Sequence, residues 1–150
     1  MRTPKQPCRF PARRRPLLAL VAVAGLALLA PVPALAETTR VKPLKTWAGR
    51  VPPGVPPPLV SSLATPQALR QVWALCQVKG AVPQVDFATQ LVVLAARRSS
   101  VVRFRRLDLV DGDLATDVAV APDAPDYTTC ALALVPRAGI ARVNGVAPGR

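Results

Sequence analysis

Residues 69–102 read LRQVWALCQVKGAVPQVDFATQLVVLAARRSSVV, and this stretch decides the fold. Leu69, Val72, Trp73 and Cys76 recur at helical spacing and form one apolar face, while Arg70, Gln71 and Gln77 lie elsewhere. Thr65–Pro66 just upstream supplies a helix start. Threonine can accept from free backbone N–H groups, and proline at the first helical position loses nothing by lacking one. Lys79–Gly80 is the expected end, with glycine as the left-handed cap. Further on, Gln90–Ala96 reads QLVVLAA, with no polar alternation. A strand apolar on both sides belongs in the middle of a sheet, covered by the helix on one face and by something else on the other. The stretch predicts a helix against a sheet and names no reaction.

Ser99–Ser100 breaks the apolar run and predicts a hairpin turn. The chain returns over Val101–Val110, but its apolar positions switch parity: Val102 and Phe104 fall on one face, Leu107 and Leu109 on the other. One extra residue near Arg105–Arg106, a β-bulge, reconciles them. Asp111–Gly112 predicts a two-residue hairpin turn, and Leu114, Thr116, Val118 and Val120 alternate as in a half-buried strand. A loop over Pro122–Asp126, a strand over Thr128–Val135 and a short strand over Ile140–Val143 follow. Ahead of the helix, an edge strand is expected near Leu44–Arg50, then a polyproline-II spacer over Pro52–Pro58, then a short strand over Leu59–Leu63. The expected architecture is α+β: an antiparallel β-meander with one N-terminal amphipathic helix packed on the sheet.

Met1–Pro16 carries Arg2, Lys5, Arg9, Arg13, Arg14 and Arg15 with no acid, Leu17–Leu29 is almost purely apolar, and Ala34–Leu35–Ala36 follows. A basic region, an apolar region and an A-x-A site are the parts of a secretory signal peptide, so residues 1–36 are read as one, cut before Glu37. An uncleaved anchor is the alternative, since Leu17–Ala36 is about long enough to span a bilayer. Arg13–Arg14 hints at twin-arginine export, but Pro16–Leu17–Leu18 matches that motif poorly. Localisation is therefore expected to be secreted or periplasmic, with no membrane span after cleavage. The mature chain is read as an N-terminal arm with a Pro-rich linker over 37–62 and an α+β domain over 63–150. Of the 20 basic residues, six lie before Glu37, which leaves 14 against 8 acids and a net charge of +6. That balance favours anionic partners. Nucleic acid is a poor match for an exported chain with few aromatics to stack on bases.

Three cysteines are present, and Cys8 lies in the signal. Cys76 and Cys130 remain, a pair in a chain bound for an oxidising compartment, and are read as a disulfide. The alternative is two small buried apolar residues. The sequence has no histidine, which removes Ser-His-Asp and Cys-His catalysis and most zinc sites. Asp111–Gly112–Asp113 is the only trace of a calcium loop and lacks the spacing and closing glutamate of an EF-hand. No catalytic residue, metal or cofactor is expected, and the chain is read as a non-enzyme. Trp73, Pro83, Asp86 and Phe87 are read as structural. Trp73 and Phe87 fill the core, and the Asp86 carboxylate caps nearby backbone N–H groups in the Pro-x-Val-Asp-Phe segment that leads into the central strand.

The sharper feature is basic. Arg97, Arg98, Arg103, Arg105 and Arg106 flank the predicted hairpin, with Arg103 and Arg105 on one face and Arg98 and Arg106 on another. Guanidinium forks so placed could grip carboxylate or phosphate, and these residues form the candidate binding surface. The alternative is a pair of solvated strand faces whose charge blunts edge aggregation.

The order of the helix with Val72–Trp73, then Pro83–Gln84–Val85–Asp86–Phe87, then the Leu91–Ala95 strand resembles the C-terminal domain family of PrcB, an accessory subunit of a secreted bacterial protease complex. It is also similar to small exported bacterial proteins of unknown function that finish with a basic-x-Gly-hydrophobic turn and a Val-Asn-Gly. Here those are Arg137–Ala138–Gly139–Ile140 and Val143–Asn144–Gly145. The resemblance covers roughly Leu63–Ala147. It departs from the family at Ser99–Ser100, where a Gly-Tyr pair is frequent. It implies an exported non-catalytic domain that assists a protein partner, a secreted protease among the candidates. It transfers no catalytic residue. The alternative function is a binding module for an anionic cell-envelope polymer, through the Arg-rich hairpin.

Overall fold

The structure is a computed structural model that describes residues 37–122 and 127–149. The segment read as a signal, Met1–Ala36, and most of the expected loop, 123–126, lie outside the described residues. The strands are β1 (Thr38–Arg40), β2 (Lys45–Val51), β3 (Ser62–Leu63), β4 (Gln90–Arg98), β5 (Ser100–Val110), β6 (Asp113–Pro122), β7 (Thr128–Pro136) and β8 (Arg142–Val143), with α1 (Pro66–Leu75) between β3 and β4. They form two four-stranded sheets, ordered β1-β5-β6-β8 and β2-β7-β4-β3. Every pairing is antiparallel except β6 with β8. The chain is therefore α+β, but two details of the expected architecture are corrected. The helix follows three strands rather than leading them. The single meander is two sheets, because the expected β4–β5 hairpin is a corner: Ser99 takes a left-handed φ of 54° and its N–H donates to the Tyr127 carbonyl, so β5 starts a second layer.

The apolar run in β4 explains the layering. Val92 and Leu94 pack with Leu69, Trp73 and Cys130, while Leu91 and Val93 pack with Leu107, Leu114 and Val143. The sheet holding β4 is thus the middle layer, with the helix on one face and the other sheet on its back. β7, between β2 and β4, is buried along all but its last residue for the same reason.

Thr65 caps α1 by accepting from the Ala68 N–H at 3.2 Å, with Pro66 opening the helix. The expected glycine end is corrected. The helix stops at Leu75, and Gln77 takes the left-handed conformation at φ 44°. Gln77 N–H donates to the Ala74 carbonyl and Val78 N–H to the Trp73 carbonyl, both at 3.1 Å, which is a Schellman end. It stops there because the Cys76 carbonyl is taken by the Arg50 N–H of β2 at 2.6 Å. Gly49 makes that approach feasible: a Cβ there would overlap the Cys76 carbonyl oxygen and crowd the Val78 side chain. Gly80 instead accepts from Trp73 Nε1 at 3.1 Å, folding the exit loop over the indole.

The bulge falls where the parity switch puts it, between Phe104 and Arg106 against Val118 and Asp117. Asp111 and Gly112 both take positive φ, as a tight hairpin turn of this hand requires.

Candidate functional site

The bulge dictates the local arrangement of arginines. Phe104 and Leu107 both turn inward to the core between the sheets. They lie three positions apart, so the two residues between them, Arg105 and Arg106, are both displaced outward, beside outward-facing Arg103. All three are exposed. Arg98, expected to share a face with Arg106, belongs with Arg97 to the end of β4 in the other sheet. The five arginines do not form one patch.

A cleft of about 360 Å³ opens where the chain leaves β1, after Arg40, and crosses to the other sheet. Arg40, Lys42, Arg105 and Arg106 line it with Val41, Pro43, Phe104 and Leu107, and no carboxylate is in the lining. Sequence reasoning missed Arg40 and Lys42, which reach the cleft through the β1–β5 pairing. Arg40 stands opposite Asp108, and Val41 N–H donates to the Leu107 carbonyl at 2.8 Å. Asp108, just outside, pairs with Arg106 Nε at 2.5 Å. One carboxylate beside four cations leaves the cleft positive. Among the described residues, Arg105 makes no ion pair.

Arg103 lies on the next hollow along, of about 340 Å³, with Trp47 and Phe104. That hollow adjoins a third, of about 660 Å³, to which Arg50 and Lys79 contribute. Arg50 stacks on the Tyr127 ring at 4.3 Å and Lys45 lies 5.6 Å from the Trp47 ring. Arg97 sits on the opposite side of the sandwich, with Thr116 and Asn144.

The residues read as structural lie within the scaffold. Trp73 is buried and meets Trp47 edge-on, with ring centroids 5.4 Å apart. The Asp86 carboxylate accepts from Ala88 N–H at 3.0 Å and from Thr89 Oγ1 at 2.8 Å, closing the turn into β4. Arg137 clamps this turn by donating from Nη1 to the Phe87 carbonyl at 2.7 Å. Pro83 lines a hollow beside the helix together with Leu69 and Phe87. Asn144 anchors the C-terminal end: its Oδ1 accepts from Thr116 N–H at 2.9 Å, and its Nδ2 donates to Thr116 Oγ1 at 2.9 Å.

Cys76, at the helix end, and Cys130, in the central strand β7, are both buried free cysteines in direct contact with one another. The contact with Cys76, with burial added, pushes the Cys130 thiol far above the ordinary thiol range. The same contact favours the Cys76 thiolate and lowers its pKa. Among the described residues no cluster of three His, Cys, Asp or Glu side chains could hold a metal ion.

Fold and cleft together define a two-sheet α+β domain with a concavity at the bulge lined by Arg40, Lys42, Arg105 and Arg106. No family model matches the chain, and neither a curated protein nor a solved structure matches it.

Proposed function

We propose that the chain is an exported, non-catalytic interaction module that holds the acidic face of a partner protein. The observation that carries this reading is the cleft at the bulge, where Arg40, Lys42, Arg105 and Arg106 converge with no carboxylate in the lining. Asp108 pairs with Arg106, and the remaining cations leave the concavity net positive, which favours a partner rich in carboxylates. Guanidinium forks match carboxylates bidentately, which adds orientation to attraction. The resemblance to the PrcB C-terminal domain family supports a protease-associated role, and the reading of residues 1–36 as a signal supports export. The second reading, an anionic cell-envelope polymer, draws on the same charge. Affinity capture of envelope and secreted proteins on the mature chain at rising salt tests the first. Enrichment of one acidic protein that declines steeply with salt, and is lost with Arg40→Ala/Arg105→Ala, is the expected result. Retention on a purified anionic polymer with no protein enriched would move the conclusion to the second reading.

A further inference from the structure

The cleft does not end at the bulge. Phe104 also lines the second hollow, and Trp47, Ala48, Val102 and Arg103 line both the second and the third, so the three adjoin one another as a row of hollows, a broken groove whose last two parts lie along β2. No aspartate or glutamate lines any part of it. Cations recur along its length, from Arg40 and Arg105 at one end through Arg103 to Lys79 at the other. Apolar surface recurs between them, at Phe104 and Trp47.

We infer that this groove binds an extended acidic segment of a partner polypeptide, with carboxylates interspersed by apolar side chains. The inference rests on the reading under Proposed function and specifies its ligand. β2 is seven residues long, roughly 23 Å in an extended strand, so the segment in contact is about that length. A free inorganic anion would fill one end only. A polyol phosphate chain would satisfy the cations and leave uncovered the parts of Phe104 and Trp47 that line the hollows, so the pattern favours polypeptide.

The test is a titration of the mature chain, residues 37–150, with three probes: a short blocked peptide alternating glutamate with leucine, a blocked all-glutamate peptide of equal charge, and poly(glycerol phosphate). Trp47 fluorescence and amide chemical shifts report on the groove. Charge reversal at Arg40→Glu/Arg105→Glu is compared with Arg97→Glu/Arg142→Glu, which carries the same net change on other surfaces, and thermal melting confirms that both variants fold. The expected result is saturable binding of the alternating peptide above the all-glutamate one, weakened about tenfold or more by the groove reversal and by much less in the control. Equal weakening by both reversals, or equal binding of both peptides, would overturn the groove as a specific site. Binding of the polymer alone would overturn the polypeptide occupant and leave the second reading of function standing. Capture of an acidic partner by a chain that ignores the peptides would overturn the groove without touching the interaction-module reading.

Discussion

At the residue scale, two positions at the helix exit carry opposite expectations. Gln77 holds a left-handed φ of 44° that costs a side-chain-bearing residue about 1 kcal/mol, and glycine pays nothing there. Gln77→Gly is therefore expected to raise stability by about 1 kcal/mol, read as a higher denaturant midpoint at unchanged slope. Gly49→Ala is expected to destabilise by about 2 kcal/mol, because its Cβ meets a backbone carbonyl that cannot swing aside. An unchanged midpoint would show that the helix does not rest on β2. Cys76 and Cys130 lie 54 residues apart and already touch, so oxidation of the mature chain is expected to join them. Two thiols give up two protons and two electrons to an external disulfide, and the intact mass falls by two hydrogens. The closed loop should stabilise the oxidised form over the reduced one by ~4 kcal/mol. Coincident melting of the two forms would count against the bond.

At the element scale, the helix start depends on one hydroxyl. Thr65→Ala is expected to cost about 1 kcal/mol, since the Ala68 N–H loses its acceptor, and Thr65→Ser should restore most of it. Asn144 does for β8 what Thr65 does for α1, joining the last strand to β6 through its side-chain amide. Elements of this kind were legible wherever the signal is local. The Thr65–Pro66 start, the apolar face through Trp73 and the parity switch that marks the bulge are all written within a few residues of where they act. The helix end was not, because what stops α1 is the Arg50 N–H, supplied from 26 positions upstream. Ser99 was legible as a break but not as a corner, since a positive φ changes layer or reverses a strand according to what lies beyond it. Half of the candidate site was equally hidden: Arg105 and Arg106 stood out as charges, whereas Arg40 and Lys42 join them only through a non-local strand pairing.

At the scale of the whole molecule, the two sheets share a core that no single segment builds. Leu91 and Val93 of one sheet close on Leu107 and Leu114 of the other, and Val143 from the final strand completes the cluster. A chain ending at residue 126 lacks β7 and is expected to be unfolded, with poorly dispersed amide resonances, because β2 loses its only neighbour and β4 keeps only the two residues of β3.

That dependence has a consequence for timing. β7 sits between β2 and β4 yet is made long after both, so the middle sheet cannot zip until residues 128–136 have arrived. Pairings over such sequence distances are slow to find. Until then β2 and β4 wait without their shared partner, so the order of synthesis leaves the middle sheet open while β5 and β6 are made.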